Sequence, residues 1–298
     1  MSRKILGLSC CLGAVCTFGG FVACGSDEPG ATFTEDGGQT SSGTASGGNA
    51  SSSGGGITPA GDASASGGQV PPATPVDVVF TTDNAYVFGW GTKDSVQSLQ
   101  GKPANPTGAQ IFPCPVGVGP EAYVVPAESA PLDGYLYVIA WDDRDNTQGS
   151  LGQFKRRGSD DVVYTGDAQW EVCATGLPYD ARSADAGGPP VDVINAELAR
   201  CSAGTGDPAK TSAGWVNAAG AITANAVGNV IVGEDNSADD GFFPITCQGD
   251  DAGLGIDPAA RWMWYSSDGT PRFQNDSDPR AFLIFRLPNT AVPPNPVN

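Results

Sequence analysis

Ten short runs rich in Val, Ile, Tyr, Phe and Trp are strung between turn residues from position 76 to 288: "VDVVFTT", "AYVFGW", "EAYVVP", "GYLYVIAW", "DVVYTG", "QWEVCAT", "NVIVGE", "FFPITC", "RWMWYSS" and "AFLIFRL". Each is long enough to cross one sheet and too short for a stable helix. Several alternate apolar with polar residues, as a strand does when one face meets water. The expected fold class is therefore all-β, an antiparallel β-sandwich. Positions 76 to 288 supply 213 residues, enough for one such domain with a full core and too few for a decorated glycosidase-type (β/α)8 barrel.

One segment departs from the β pattern. In "DVINAELARC", Ile194, Leu198 and Cys201 are spaced i, i+4, i+7 behind Asp192 as a candidate cap, which predicts one short helix docked on the sandwich. The preceding "GLPYDARSADAGGPP" reads as a surface loop.

The segments outside 76–288 cannot join that core. Arg3 and Lys4 precede an apolar run from Ile5 to Ala23, the layout of a signal peptide over 1–23. Phe21-Val22-Ala23-Cys24 resembles the bacterial lipobox, with Phe21 where Leu is usual, and implies a lipidated Cys24 as the membrane anchor of an exported, outer-membrane or cell-surface protein. From 24 to 75 the chain is nearly all Gly, Ser, Ala, Thr and acid, as in "TSSGTASGGNASSSGGGITPAGDASASGG". Such a segment lacks the apolar surface to offset the entropy of ordering, so a disordered linker is expected. Residues 289–298, "NTAVPPNPVN", read as a flexible tail.

Charge and missing chemistry narrow the function. Past residue 23 the chain holds 13 Lys and Arg against 33 Asp and Glu, a charge of -20, which repels nucleic acid and anionic headgroups. Membrane contact is thus expected through the lipid anchor alone. There is no histidine, so a Ser-His-Asp triad, a Cys-His dyad and a His-liganded zinc are all excluded. No Gly-rich phosphate cradle is present, and no cofactor is required by any motif.

Cys114, Cys173, Cys201 and Cys247 remain in the domain, and an even number in an exported protein suggests disulfides with three possible pairings. Spacings of 59, 28 and 46 provide no close C-x-x-C knuckle for a thiolate metal site. Cys173 with Cys201 is favoured, because that bond clips the loop and helix to the strand that launches them. Exclusion then pairs Cys114 with Cys247.

Four stretches taken together resemble the galactose-binding-like jelly-roll domains attached to bacterial glycosidases and surface proteins. They are Asp83-Asn84-Ala85-Tyr86-Val87-Phe88, Gly134 to Ala140, "GSLGQF" over 149–154, and Thr165-Gly166-Asp167 with Trp170, in the family's order. Two features depart from the pattern. Gly89-Trp90-Gly91 replaces the usual Asn-Gly turn, and "RWMWYSSDG" with "AFLIFRL", similar to the family's opening strands, comes last. The resemblance implies a jelly-roll sandwich whose loops bind carbohydrate or protein without catalysis. Its ligand residues vary among members, so none is carried over.

Candidate sites rest on local chemistry. Among six tryptophans, Trp90 between two glycines is expected at the surface, where an indole stacks on a sugar; Trp262 and Trp264 are expected in the core. Asp83 and Asn84, at an expected strand start, are candidate ligand contacts, with local turn bonding as the competing role. In "WDDRDN", Asp142, Asp143 and Asp145 are candidate ligands for Ca2+. Asp143, Asp145 and Thr147 match positions 1, 3 and 5 of an EF-hand, but Gly149 falls at position 7 rather than 6 and Phe154 rather than glutamate stands at position 12, leaving an irregular loop site or a solvated strand end. "GEDNSADDG" reads as a solvated loop. The expected function is a non-catalytic surface binding or adhesion module for glycan, another surface polymer or another surface protein. The alternatives are a self-assembling coat or matrix protein and a carboxylate-based glycan-active enzyme.

Overall fold

The computed structural model describes residues 74–83, 85–101, 108–114, 119–141, 147–179, 187–237, 241–249, 255–271, 273 and 282–294. All of them belong to one unit spanning 66–298. The signal peptide, Cys24, nearly all of the linker, Asn84, Asp142, Asp143 and Asp145 lie outside the described residues.

Strands β1 (Val76–Asp83), β4 (Glu121–Val125), β6 (Gly149–Arg156), β7 (Val162–Tyr164), β11 (Asn229–Asp235) and β12 (Arg261–Ser266) form one sheet. Its order is β11-β12-β6-β1-β4, with β7 also on β6. The second sheet holds β2 (Ala85–Thr92), β3 (Ser95–Gln100), β5 (Tyr135–Trp141), β8 (Glu171–Ala174), β9 (Val216–Asn217), β10 (Gly220–Ala221) and β13 (Leu283–Pro288). Its order is β10-β9-β8-β13-β5-β2-β3. The chain crosses between sheets at β1–β2, β3–β4, β4–β5, β5–β6, β7–β8, β10–β11 and β12–β13. Pairing is antiparallel throughout. This is a jelly-roll-type antiparallel sandwich, with one α-helix among the described residues.

Alternation decides what lies between the sheets. On β5, Leu136, Val138 and Ala140 enter the inner core, while Tyr137, Ile139 and Trp141 join a second buried cluster on the sheet's outer face. On β2, Tyr86, Phe88 and Trp90 face inward and Ala85 and Val87 outward. Trp90 is therefore not at the surface as expected. It is 6% exposed and leans on Phe88, because its parity matches Tyr86 and Phe88. The glycines beside it serve β3, which crosses so closely that a Cβ on Gly89 or Gly91 would strike the Ser98 or Ser95 carbonyl.

Much of each outer face is covered, the edge strand β4 excepted, where Ala122 and Val124 are exposed. Helix α1 (Val191–Ala203) lies on the second sheet through Ile194, Leu198 and Cys201, with the Cys173–Cys201 disulfide beneath it. Pro190 rather than Asp192 is its N-cap residue; Asp192 sits in the first turn, and Gly204 ends the helix at φ 64°. Asn195 reaches the open edge of β3, accepting from the Val96 N–H at 2.8 Å and donating to its carbonyl at 3.2 Å. It thereby occupies the hydrogen bonds a further strand would take. Phe80 faces Tyr86 and Phe154 between the sheets, so Val79 and Thr81 face away and need a cover of their own. The Thr81 hydroxyl donates to the Ile111 carbonyl at 2.9 Å. Gln153 donates to the Gly255 carbonyl at 2.8 Å and accepts from the Asp257 N–H at 2.9 Å. Cys114–Cys247 joins the two covering segments.

"FFPITC" belongs to this cover and is not a strand. Phe243 stacks on Trp262 at 3.9 Å, and Asn236 supplies what a ladder would, donating to the Thr246 and Ile256 carbonyls and accepting from the Thr246 N–H. The acidic stretch "GEDNSADDG", expected to be a solvated loop, begins as the end of β11 (Gly233 to Asp235), and Asn236 after it is buried between the exposed Asp235 and Ser237.

The expected boundary at 288 falls inside packed structure. Asn289–Ala291 form a 3-10 turn, and Asn289 and Val292 are 0% exposed. The Pro-rich composition conceals the reason, which is Arg156. Its buried guanidinium donates to the carbonyls of Val292 at 2.8 Å, Thr74 at 2.9 Å and Ala130 at 3.0 Å. Thr74 and Val292, near the two ends of the described domain, therefore meet at one pole of the sandwich.

Candidate functional site

A polar cleft of about 360 Å³ opens at that pole, between the β2–β3 turn and the connection from β4 to β5. Thr92, Lys93, Asp94 and Gln97 line one wall, and Glu128, Ser129, Pro131 and Asp133 the other. Hydroxyl, ammonium, amide and carboxylate groups thus converge on one space, able both to donate to and to accept from a small hydroxylated ligand. A second cleft of about 310 Å³ beside the start of α1 is lined by apolar and glycine residues such as Val87, Leu99, Gly188 and Val191, and has no comparable donor set.

The two walls are built differently. The first is a tight hairpin turn in which the Asp94 N–H donates to the Thr92 hydroxyl, and the buried Tyr137 hydroxyl donates to the Thr92 carbonyl. Burial pushes the Tyr137 hydroxyl well above the ordinary tyrosine range, with the Arg286 cation acting against it, so it stays a donor. Arg286 itself is 4% exposed on the outer face. It pairs with Glu171 at 2.6 Å and lies 3.6 Å from the Trp215 ring and 5.1 Å from that of Tyr135.

The second wall is a run of local turns. Ser129 N–H donates to Pro126, Ala130 N–H to Ala127 and Gly134 N–H to Pro131. Pro126 and Pro131 fix backbone angles and withhold donors, so the segment cannot join a sheet. From behind, its carbonyls are held by Arg156 at Ala130 and by Asn289, whose side chain donates to Pro131 at 2.8 Å and whose N–H donates to Gly134 at 2.9 Å.

Of the residues singled out from the sequence as ligand contacts, Asp83 and Trp90 do not line this cleft, and Asn84 lies outside the described residues. Asp83 ends β1 rather than opening a strand and is 4% exposed, which leaves no surface for a ligand. All six tryptophans are buried, from 0% for Trp141 and Trp262 to 6% for Trp90, so no indole offers a stacking face to a sugar. The cause is shared. Each indole sits on or beside a strand whose two faces are both covered. Among the described residues no cluster of three or more Asp, Glu or Cys is placed to hold a metal. The disulfides are Cys114–Cys247 and Cys173–Cys201.

The residues missed were visible as turn chemistry. "GTKDS" between two β-type runs and "PAESAPLDG" ahead of "YLYVIAW" both mark the same end of the sandwich once β2 and β5 are paired. Comparison with known protein families, curated proteins and solved structures returns no match.

Proposed function

We propose that this protein is a non-catalytic binding module for glycan or a similar hydroxyl-rich surface polymer, held at the cell surface through a lipidated Cys24, and that the polar cleft takes the ligand. The observation that carries the reading is the convergence of Thr92, Lys93, Asp94, Gln97, Glu128 and Asp133 on one cleft of about 360 Å³, room for one or two sugar rings. With every indole buried, recognition falls to hydrogen bonds from these side chains. Contacts of this kind exchange with water and give modest affinity. The resemblance to galactose-binding-like domains agrees with a jelly roll that binds through the loops at one end.

The test is an array of surface polysaccharides probed with the protein, followed by the Gln97→Leu and Asp94→Asn variants on any hit. Retention by the wild type that both variants lose supports the reading; retention that neither alters refutes the cleft. For the anchor, Cys24→Ala is expected to move the protein from the membrane to the soluble fraction. A variant still held in the membrane refutes lipidation.

One observation favours a second reading, self-assembly into a coat or matrix. Strand β4 ends its sheet and carries Val124, 43% exposed. Silence across the array, with concentration-dependent association in size exclusion, would favour it.

A further inference from the structure

The C-terminal segment 289–292 reads as a disposable tail in composition, yet it is the backing of the cleft. Three carbonyls of the second wall, those of Ala130, Pro131 and Gly134, are bound from behind by Arg156 or Asn289. These two residues are themselves joined through the segment, since Arg156 donates to the Val292 carbonyl at 2.8 Å and the Val292 N–H donates to that of Asn289 at 3.2 Å. Asn289 also fits tightly. A Cβ on the cleft residue Gly134 would come within 2.7 Å of its amide nitrogen.

Other contacts do not account for both side chains. Arg156 is 2% exposed, and among the described residues no carboxylate is a hydrogen-bond partner and its Nη2 has none. Asn289 is 0% exposed and its Oδ1 is likewise unpartnered. A buried polar group left without a partner is costly. What each residue provides in return is a grip on the backbone of the wall.

We infer that Arg156 and Asn289 are positioning residues of the cleft, and that the segment 289–292 sets the distance between its two walls. Neither side chain lines the cleft; they act through the backbone of Ala130, Pro131 and Gly134. The segment bearing Glu128, Ser129 and Asp133 makes local turn bonds of its own; Ala130 packs into the core, and Arg156 and Asn289 hold the segment's carbonyls to the sandwich. Since Arg156 holds Thr74 as well, the entry of the chain into the domain is anchored at the same point. The inference rests on the cleft being the ligand site.

The experiment separates the two. Amide hydrogen exchange and polysaccharide retention are measured on the wild type, Asn289→Leu and Arg156→Lys. Asn289→Leu removes both side-chain groups at similar volume, and Arg156→Lys keeps the charge while losing the planar fork. The expected result is at least a tenfold rise in exchange confined to 127–134, with the β5–β13 ladder still protected, together with a tenfold or greater fall in affinity for the polysaccharide that the wild type retains. Loosened exchange with unchanged retention would show that the wall is held as described and that the cleft is not the ligand site. Unchanged exchange at 127–134 in both variants, or in whichever one folds, would overturn the positioning role. Binding that falls while exchange there stays unchanged would overturn it too. Should neither variant fold, the two residues are core residues of the sandwich and the positioning role is equally overturned.

Discussion

The two disulfides should be opposite in thermodynamic weight and chemical resistance. Cys114–Cys247 closes a separation of 133 residues and Cys173–Cys201 one of 28. Chain-entropy scaling then gives about 5 kcal/mol for the first and about 3.6 kcal/mol for the second. In a domain of this size such losses lower Tm by roughly 10–20 °C and roughly 7–14 °C respectively. Resistance to a thiol reductant runs the other way. Cys114 is exposed, whereas Cys173 and Cys201 are both 0% exposed beneath α1, with the Arg200 guanidinium 3.6 Å from each sulfur. An attacking thiolate must approach a sulfur directly, so the inner bond opens only when α1 lifts. Under native conditions with millimolar dithiothreitol, differential alkylation and mass spectrometry should report Cys114 and Cys247 first, and Cys173 and Cys201 only with unfolding. The paired alanine variants should show the larger Tm loss for Cys114/Cys247. Simultaneous or reversed reduction would refute the cover by α1, and a larger Tm loss for the inner pair would refute loop length as the governing quantity.

Four further perturbations test separate parts of the fold. Burial raises the hydroxyls of Tyr86, Tyr123 and Tyr137 above their ordinary value near 10, so the folded state keeps protons that the unfolded chain releases; the stability this gives is full below that value and is lost as pH rises above it. An ultraviolet titration should leave these three silent until alkaline unfolding, and reversible ionisation of all seven tyrosines in the folded protein would contradict this. Glu171→Gln leaves the Arg286 cation buried against Trp215 and should cost about 3 kcal/mol in urea unfolding, while replacing both partners with Met should recover most of it; an undiminished midpoint in the single variant would show that the pair adds nothing. Asn195→Ala uncovers the Val96 edge of β3 and is expected to produce concentration-dependent association in size exclusion, where an unchanged elution volume would show the edge guarded by other means. Asp143→Ala with Asp145→Ala should leave Tm unchanged with or without millimolar calcium, and a calcium-dependent rise that only the wild type shows would instead establish a cation site.

The architecture was legible because period-two patterning is written locally. "GYLYVIAW" already separates Leu136, Val138 and Ala140 from Tyr137, Ile139 and Trp141, and β5 distributes them in that way. The helix, with its buried stripe of Ile194, Leu198 and Cys201, was legible for the same reason. Trp90 was misjudged by reading its glycine neighbours as a loop, although counting from Tyr86 and Phe88 places it inward. The cleft was not legible. Its walls lie about 35 residues apart, and what unites them is the pairing of β2 with β5 and the reach of Arg156 and Asn289 from two other strands' ends. Buried polar residues of this kind carry no periodic signal, because their partners are backbone carbonyls, which every residue possesses.

The guanidinium of Arg156 holds the carbonyls of Thr74 and Val292 together, so the beginning and the end of the domain are neighbours in space. A domain with this property is nearly a closed loop. A short Gly/Ser bridge from Val292 to Thr74 would let new ends be opened elsewhere, for instance in the turn after Arg157, while leaving every strand partner in place. By the same geometry the whole sandwich could be inserted into a surface loop of another protein, entering and leaving through a single small gap, with its polar cleft facing the host.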